Sequence, residues 1–173
     1  DPHKWGITQI KKKGLRDFGA SLGPEAAHHI AIGAETLALR QTQQCANASL
    51  MTAFLEKHEL VKAVYYPGLE SHAQHQRAAD LFRHPGGLFS FELAEGVDLW
   101  DFMNRFQVIV KSSNLGDNRT LAIPVAHTIY FEMGPERRAS MGIDESLIRV
   151  SVGIEDGEDL ITDLQQAFAG VDG

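Results

Sequence analysis

Two stretches of strict alternation limit what this chain can become. From Leu88 to Ala94, Phe89, Phe91 and Leu93 fall on one face and Ser90 and Glu92 on the other; from Leu147 to Glu155, Ile148, Val150 and Val152 oppose Leu147, Arg149 and Ser151. Successive strand side chains point to opposite faces, so each stretch is a strand with one side in a core. Arg149 sits on the other side. A guanidinium on a strand stays charged at any working pH and can grip a carboxylate through two parallel hydrogen bonds. It can equally form an edge salt bridge. Alternation alone leaves both roles open.

Between the strands the hydrophobic period becomes helical. Ser21 or Gly23 can cap, Pro24 suits a first turn, and a run of helix formers follows to about His58. Its length predicts a bend or break near Gly33 or Asn47. Val61 to Tyr66 reads as a strand stopped by Pro67-Gly68, and Ser71 as the cap of a helix to about Phe82. A short amphipathic helix from Val97 to Phe106 precedes strands at Val108–Val110 and Arg119–Ile123. Pro135 opens a basic helix ending near Gly142. Asp156 to Asp159 then begin a final helix whose stripe is Leu160, Ile161, Leu164 and Phe168.

The expected fold class is α+β: a two-layer sandwich with a mostly antiparallel sheet, helices on one face and a long N-terminal helix. The face carrying Arg149 then needs solvent or another domain against it. Residues 1–20 are polar, basic and punctuated by Gly6, Gly14 and Gly19, so they are expected to form an irregular arm ahead of an α+β domain over 21–173.

Composition narrows the partners. The 173 residues carry a formal charge of -7, and the one basic run, Lys11 to Lys13, is short, which disfavours nucleic acid. No stretch has the apolar length of a membrane span, and the chain is expected to be cytoplasmic. Cys45, the single cysteine, falls in a helical stretch among Ala46, Ala48 and Leu50 and reads as packing. The first residues look more like the middle of a protein than a start, so the chain is expected to be a fragment.

Candidate chemistry is thin outside Arg149. His72 and His75 could share a helix face, but zinc needs a third ligand and no cysteine pair or His-Glu-x-x-His pattern supplies it. His28 and His29 are adjacent on a helix and diverge by about 100°. No Gly-x-Ser-x-Gly elbow occurs, and Asn114-Leu115-Gly116-Asp117 lacks the glycine-rich opening of a phosphate cradle. Asp1-Pro2-His3-Lys4-Trp5 looks like the cofactor-lysine segment of pyridoxal-phosphate decarboxylases, yet nothing else in the chain does; an exposed arm is the ordinary reading.

Taken together, several segments point elsewhere. Gly33-Ala34-Glu35-Thr36-Leu37 with Leu39-Arg40, Phe54-Leu55-Glu56 before His58, Tyr66-Pro67-Gly68-Leu69 with Ser71-His72 and His75, and Gly86-Gly87 ahead of Ser90-Phe91-Glu92-Leu93 resemble the carboxy-terminal part of the Cys/Met-metabolism pyridoxal-phosphate enzymes. These are the transsulfuration family of cystathionine γ-synthase, cystathionine β-lyase, cystathionine γ-lyase, methionine γ-lyase and O-acetylhomoserine sulfhydrylase. Leu147 to Asp156, with Asp159-Leu160 beyond, is similar to that family's closing motif. The resemblance covers roughly Gly14 to Phe168.

The resemblance implies that Arg149 binds the substrate's α-carboxylate and that the segment Ser113-Asn114-Leu115-Gly116 helps hold it, with Asn114 and Ser113 as the further substrate-binding residues. One departure is evident. The family's His-Pro-Ala-Ser-x-Thr-His stretch is replaced by Pro124-Val125-Ala126-His127-Thr128-Ile129-Tyr130. The family's cofactor lysine lies in a Ser-x-Thr-Lys setting, and none of the seven lysines here has it. The resemblance therefore implies the C-terminal domain of a fold-type I enzyme, inactive alone, with no catalytic residue, no metal and no cofactor of its own. Its implied partners are a large N-terminal domain that holds pyridoxal 5'-phosphate, a sulfur amino-acid or O-acyl-homoserine substrate, and a full-length homotetramer. The competing reading is a stand-alone α+β ligand-binding or regulatory module.

Overall fold

The computed structural model describes residues 2–171, which divide into two compact units at Ala38/Leu39 rather than at residue 20. In the first unit the expected irregular arm is helical: α1 spans Pro2–Gln9, a wider π turn follows over Ile10–Leu15, and α2 is Arg16–Phe18. Glycine in a helix costs about 1 kcal/mol but does not forbid it, so Gly6 and Gly14 are absorbed. Gly19 does end the helix: its φ is 65° and its N–H reaches the Leu15 carbonyl. A third helix, α3, covers Pro24–Glu35. The long helical run breaks at Thr36, three residues beyond Gly33, where φ of -102° and ψ of 5° leave the α region, and it continues unbroken through Asn47.

The second unit holds the sheet. Helix α4 (Leu37–Leu55) is followed by β1 (Val61–Tyr65), α5 (His75–Leu81), β2 (Leu88–Leu93), α6 (Leu99–Asn104), β3 (Val110–Lys111) and β4 (Leu121–Pro124). A 3-10 turn at Phe131–Met133 leads to α7 (Pro135–Ser140), β5 (Leu147–Ser151) and α8 (Gly157–Ala169). The strand order is β1-β2-β5-β4-β3, antiparallel throughout except for the parallel β3–β4 pair. Two alternating strands thus become central neighbours. Phe89, Phe91 and Leu93 join Ile148, Val150 and Val152 against Met51 and Leu55 of α4, Phe102 of α6, and Leu160, Leu164 and Phe168 of α8 in one core. The expected two-layer α+β sandwich is the architecture observed.

Three local expectations change, each for a visible reason. Ser71 does not cap a helix: its hydroxyl meets Glu56, two tight turns follow, and α5 starts at His75. The third strand is displaced to Val110–Lys111 because the N–H groups of Gln107, Val108 and Ile109 all donate to the buried carboxylate of Asp163, at 2.8, 3.0 and 2.8 Å. Those donors have no ladder to join. Finally, the Arg149 face is not bare. Leu121 pairs with Ser151 and Ile123 with Arg149, so both share that face, and both are buried. The chain's own turn at 112–118 and the segment carrying α7 cover part of it.

Candidate functional site

Strand β5 sets the site by alternation: Arg149 and Ser151 project from the face opposite Ile148 and Val150. Across the sheet, Arg149 is in register with Ser90 on β2 and Ile123 on β4. Its guanidinium is half-buried, and Nη2 donates to the Ser113 carbonyl at 2.8 Å. Nε is fully buried and has no hydrogen-bond partner. An unpaired buried donor costs about 1–3 kcal/mol, and the end of the guanidinium that solvent or a ligand can reach is the exposed Nη2 side that holds Ser113. A carboxylate is the acceptor whose two oxygens match its fork.

The turn beside Arg149 is stitched from several directions. Gly116, in the left-handed region at φ 70°, donates its N–H to Ser151 Oγ at 3.0 Å. The Asp117 carbonyl accepts from Gln44 Nε2 of α4 at 3.1 Å, and the Asn118 carbonyl from the Ile154 N–H at 2.9 Å. Asp117 also accepts from the Arg119 side chain and backbone, which holds its carboxyl down to about 2. Asn114 lies within this turn with an exposed side chain.

The residues after β5 fix the strand's end. A Cβ on Gly153 would collide with the backbone at Asn118 and Arg119 and with the Glu155 carboxylate, so only glycine permits this approach. Asn47 of α4 donates to the carbonyls of Gly153 at 3.2 Å and Glu155 at 2.8 Å. Thr120 donates its hydroxyl to Glu155 at 2.8 Å while accepting from the Gly153 N–H at 2.9 Å. Arg149 is therefore held on a rigid strand whose following loop is bolted to α4 and β4.

Of the residues singled out from sequence, Arg149, Ser113 and Asn114 are brought together, with Ser113 contributing its carbonyl to the hydrogen bond. Ser151, Asn47 and Thr120 were missed as supports, while Gly116 belongs to the segment already singled out. Ser151 alone carried a signal, since it shares Arg149's face two residues on. The histidine pair resolves into local ties: the Pro67 carbonyl lies 3.0 Å from His75 Nδ1, and His72 Nδ1 accepts from the Gln74 N–H at 3.2 Å. No group of three metal-ligating side chains occurs among the described residues. Cys45 is buried. Asp1, the first residue of the decarboxylase-like segment, lies outside the described residues, and Lys4 is exposed on α1. The replaced stretch after β4 folds into a turn, with Thr128 donating to the Pro124 carbonyl at 2.6 Å and His127 Nε2 lying 3.0 Å from the Glu145 carbonyl.

The likeness to known proteins can now be set beside this geometry. The family model described as Cys/Met metabolism PLP-dependent enzyme matches residues 4–169. The chain belongs to that family. Within the Cys/Met metabolism PLP-dependent enzymes it is 40% identical over 164 residues to the L-methionine gamma-lyase of Pseudomonas putida, covering 94% of this chain and 41% of that protein. It is 38% identical to O-acetyl-L-homoserine sulfhydrylase 1 of Thermus thermophilus, covering 94% of this chain and 39% of that one. The crystal structure of cystathionine gamma-lyase from Lactobacillus plantarum complexed with L-serine superposes with a TM-score of 0.84 at 31% identity, over 90% of this chain and 41% of that chain. The chain thus spans about two fifths of the length of the curated relatives it matches.

The family's cofactor, pyridoxal phosphate, needs a lysine amine for its aldehyde. Residues 39–173 contain three lysines. Lys62 is paired with Glu92 and Asp144, Lys111 donates to Asn104, and Lys57 lines a groove between α4 and α8 with Phe54 and Ile161. None stands beside Arg149 among the described contacts. The residues around Arg149 fit a carboxylate and do not by themselves fit the cofactor.

Proposed function

We infer that this chain is the C-terminal, carboxylate-binding domain of a pyridoxal-phosphate-dependent C–S lyase or synthase acting on sulfur amino acids or O-acyl-homoserines. The observation that carries the reading is Arg149: half-buried on a rigid strand, holding the Ser113 carbonyl and keeping one buried N–H without a partner. Family membership supplies the chemical context. Arg149 is assigned as the carboxylate anchor, with Ser113 and Asn114 forming the wall of the same site.

Gripping a carboxylate that does not react orients the rest of an amino acid against whatever stands opposite, which is a direct contribution to rate through positioning. The lysine and the cofactor seat belong, on this reading, to a large N-terminal domain of the same enzyme, and the chain alone is inactive and binds no cofactor. The same reading carries the expectation of a cytoplasmic homotetramer.

The test is to incubate the purified chain with pyridoxal phosphate and L-methionine, L-cystathionine or O-acetyl-L-homoserine. No turnover is expected, and borohydride reduction should leave no adduct specific to Lys4. In the parent enzyme, Arg149→Ala should raise KM strongly while leaving cofactor binding almost intact. Turnover by the chain alone, or an unchanged KM in that variant, defeats the respective part of the reading.

A further inference from the structure

Ser151 is 5% exposed and lies two residues beyond Arg149 on the same face of β5, about 7 Å along the strand. The two side chains reach opposite ends of one short segment. Arg149 Nη2 takes the Ser113 carbonyl at 2.8 Å, and Ser151 Oγ takes the Gly116 N–H at 3.0 Å. Asn114 lies between the two ties. Farther along, the Asp117 and Asn118 carbonyls are held by Gln44 and Ile154, so the far half of the turn does not depend on β5 side chains.

The near half does, and one of its two ties is the very guanidinium that a ligand must share. An incoming carboxylate would engage the same guanidinium that holds the Ser113 carbonyl. A turn held by Arg149 alone would move with any shift of that side chain on ligand entry, and its ordering would then have to be repeated in each binding event. The Ser151 tie does not involve Arg149. Because the hydroxyl accepts from Gly116, it also keeps its own proton as a donor, beside a small cavity of about 150 Å³ that Gln44, Leu88, Leu115 and Gly116 help to line.

We propose that Ser151 is a positioning residue for the carboxylate site: it fixes the Ser113–Gly116 segment to β5 so that the segment stays in place when Arg149 engages a ligand. This role rests on the assignment of Arg149 as the carboxylate anchor. It is a matter of preorganisation, since Ser151 acts through the turn and not on the ligand's reacting atoms.

The experiment is a titration of the complete ¹⁵N-labelled chain with acetate, followed at the Gly116 amide and the Arg149 Nε–H, alongside amide hydrogen exchange and thermal unfolding. The wild type should show saturable shifts at both signals. Ser151→Ala should keep a dispersed, folded spectrum and the Arg149 Nε–H shift, speed exchange of the Gly116 amide, and weaken acetate about fivefold, as loss of one ordinary hydrogen bond implies. Ser151→Thr should restore both the Gly116 protection and the affinity.

Unchanged Gly116 exchange or unchanged acetate affinity in the folded Ser151→Ala protein overturns the positioning role while leaving the Arg149 assignment standing. An acetate response that survives Arg149→Ala overturns the assignment beneath it. The absence of any saturable response in the wild type overturns both.

Discussion

Arg149 on β5 and Lys62 on β1 are both cations on sheet strands, and each meets polar groups brought from elsewhere in the chain. Lys62 already has two carboxylate partners: it pairs with Glu92 and Asp144 at 2.8 Å each, and Glu92, itself buried, also accepts from the Tyr65 hydroxyl at 2.7 Å. The hydrogen bonds that Lys62 donates to Asp144 and Glu92 push its amine upward, and the bond to Glu92 pushes the Tyr65 phenol up as well. Arg149 has one carbonyl partner and a buried N–H with none. A cleft of about 710 Å³ lies at Lys62 between β1, β2 and α7, while the neighbourhood of Arg149 has only the small cavity of about 150 Å³ beside Ser151. Size therefore misleads here. The difference between a structural cation and one available to a ligand lies in whether carboxylates of the chain already neutralise it, as they do Lys62, or only a carbonyl holds it, as for Arg149.

The comparison can be broken most sharply at Arg149. Arg149→Ala should remove carboxylate binding, a loss of about 2–5 kcal/mol or roughly 30-fold and more in affinity, with thermal stability nearly unchanged. A titration with acetate next to a melting curve measures both. Glu92→Ala should do the reverse. It removes the acceptor of Tyr65 and Lys62, should cost about 1–3 kcal/mol in chemical denaturation, and should leave acetate affinity as it was. If Glu92→Ala impaired acetate binding, the two clusters would have to be treated as one site.

Smaller effects refine the contrast. Asn114→Ala should weaken acetate by a few-fold, about 1 kcal/mol or less, since the side chain is exposed on the turn. At the structural cluster, the Lys62 amine, with help from Ser146, holds the Asp144 carboxyl down to about 2. A carboxyl whose folded value is depressed stabilises the protein above its unfolded value, near about 3.9, and loses that contribution as pH falls through the folded one. Asp144→Asn should therefore lower the melting temperature slightly at neutral pH and flatten its decline between pH about 4 and about 2. A decline as steep as the wild type's would show that Asp144 is not the group responsible.

Much of this was legible in the sequence, and for particular reasons. Two-residue alternation placed Phe89 with Phe91 and Ile148 with Val150 on the core side, which made β2 and β5 recognisable as one-sided strands. The stripe of α8 was equally plain, with Leu160, Leu164 and Phe168 all buried. The rest depended on groups far apart in the chain. Nothing near Val108 announces that Asp163, on the last helix, takes three of its neighbourhood's N–H groups and moves the strand. Helix capacity despite Gly6 and Gly14 is a sum of weak preferences that punctuation rules overrule. The role of Arg149 was ambiguous in sequence because its one carbonyl partner, Ser113, lies 36 residues away and its unpaired Nε is visible only in the folded chain.

The Asp163 carboxylate has one more consequence. The sheet ends at β3, and an edge strand with free backbone donors is a template on which another chain can pair. Here the donors of Gln107, Val108 and Ile109, immediately ahead of that edge, are gathered onto two oxygens of a side chain from α8. Three backbone donors next to the edge strand are thus already matched by one acidic residue of the final helix, and none of them is left for a stray strand.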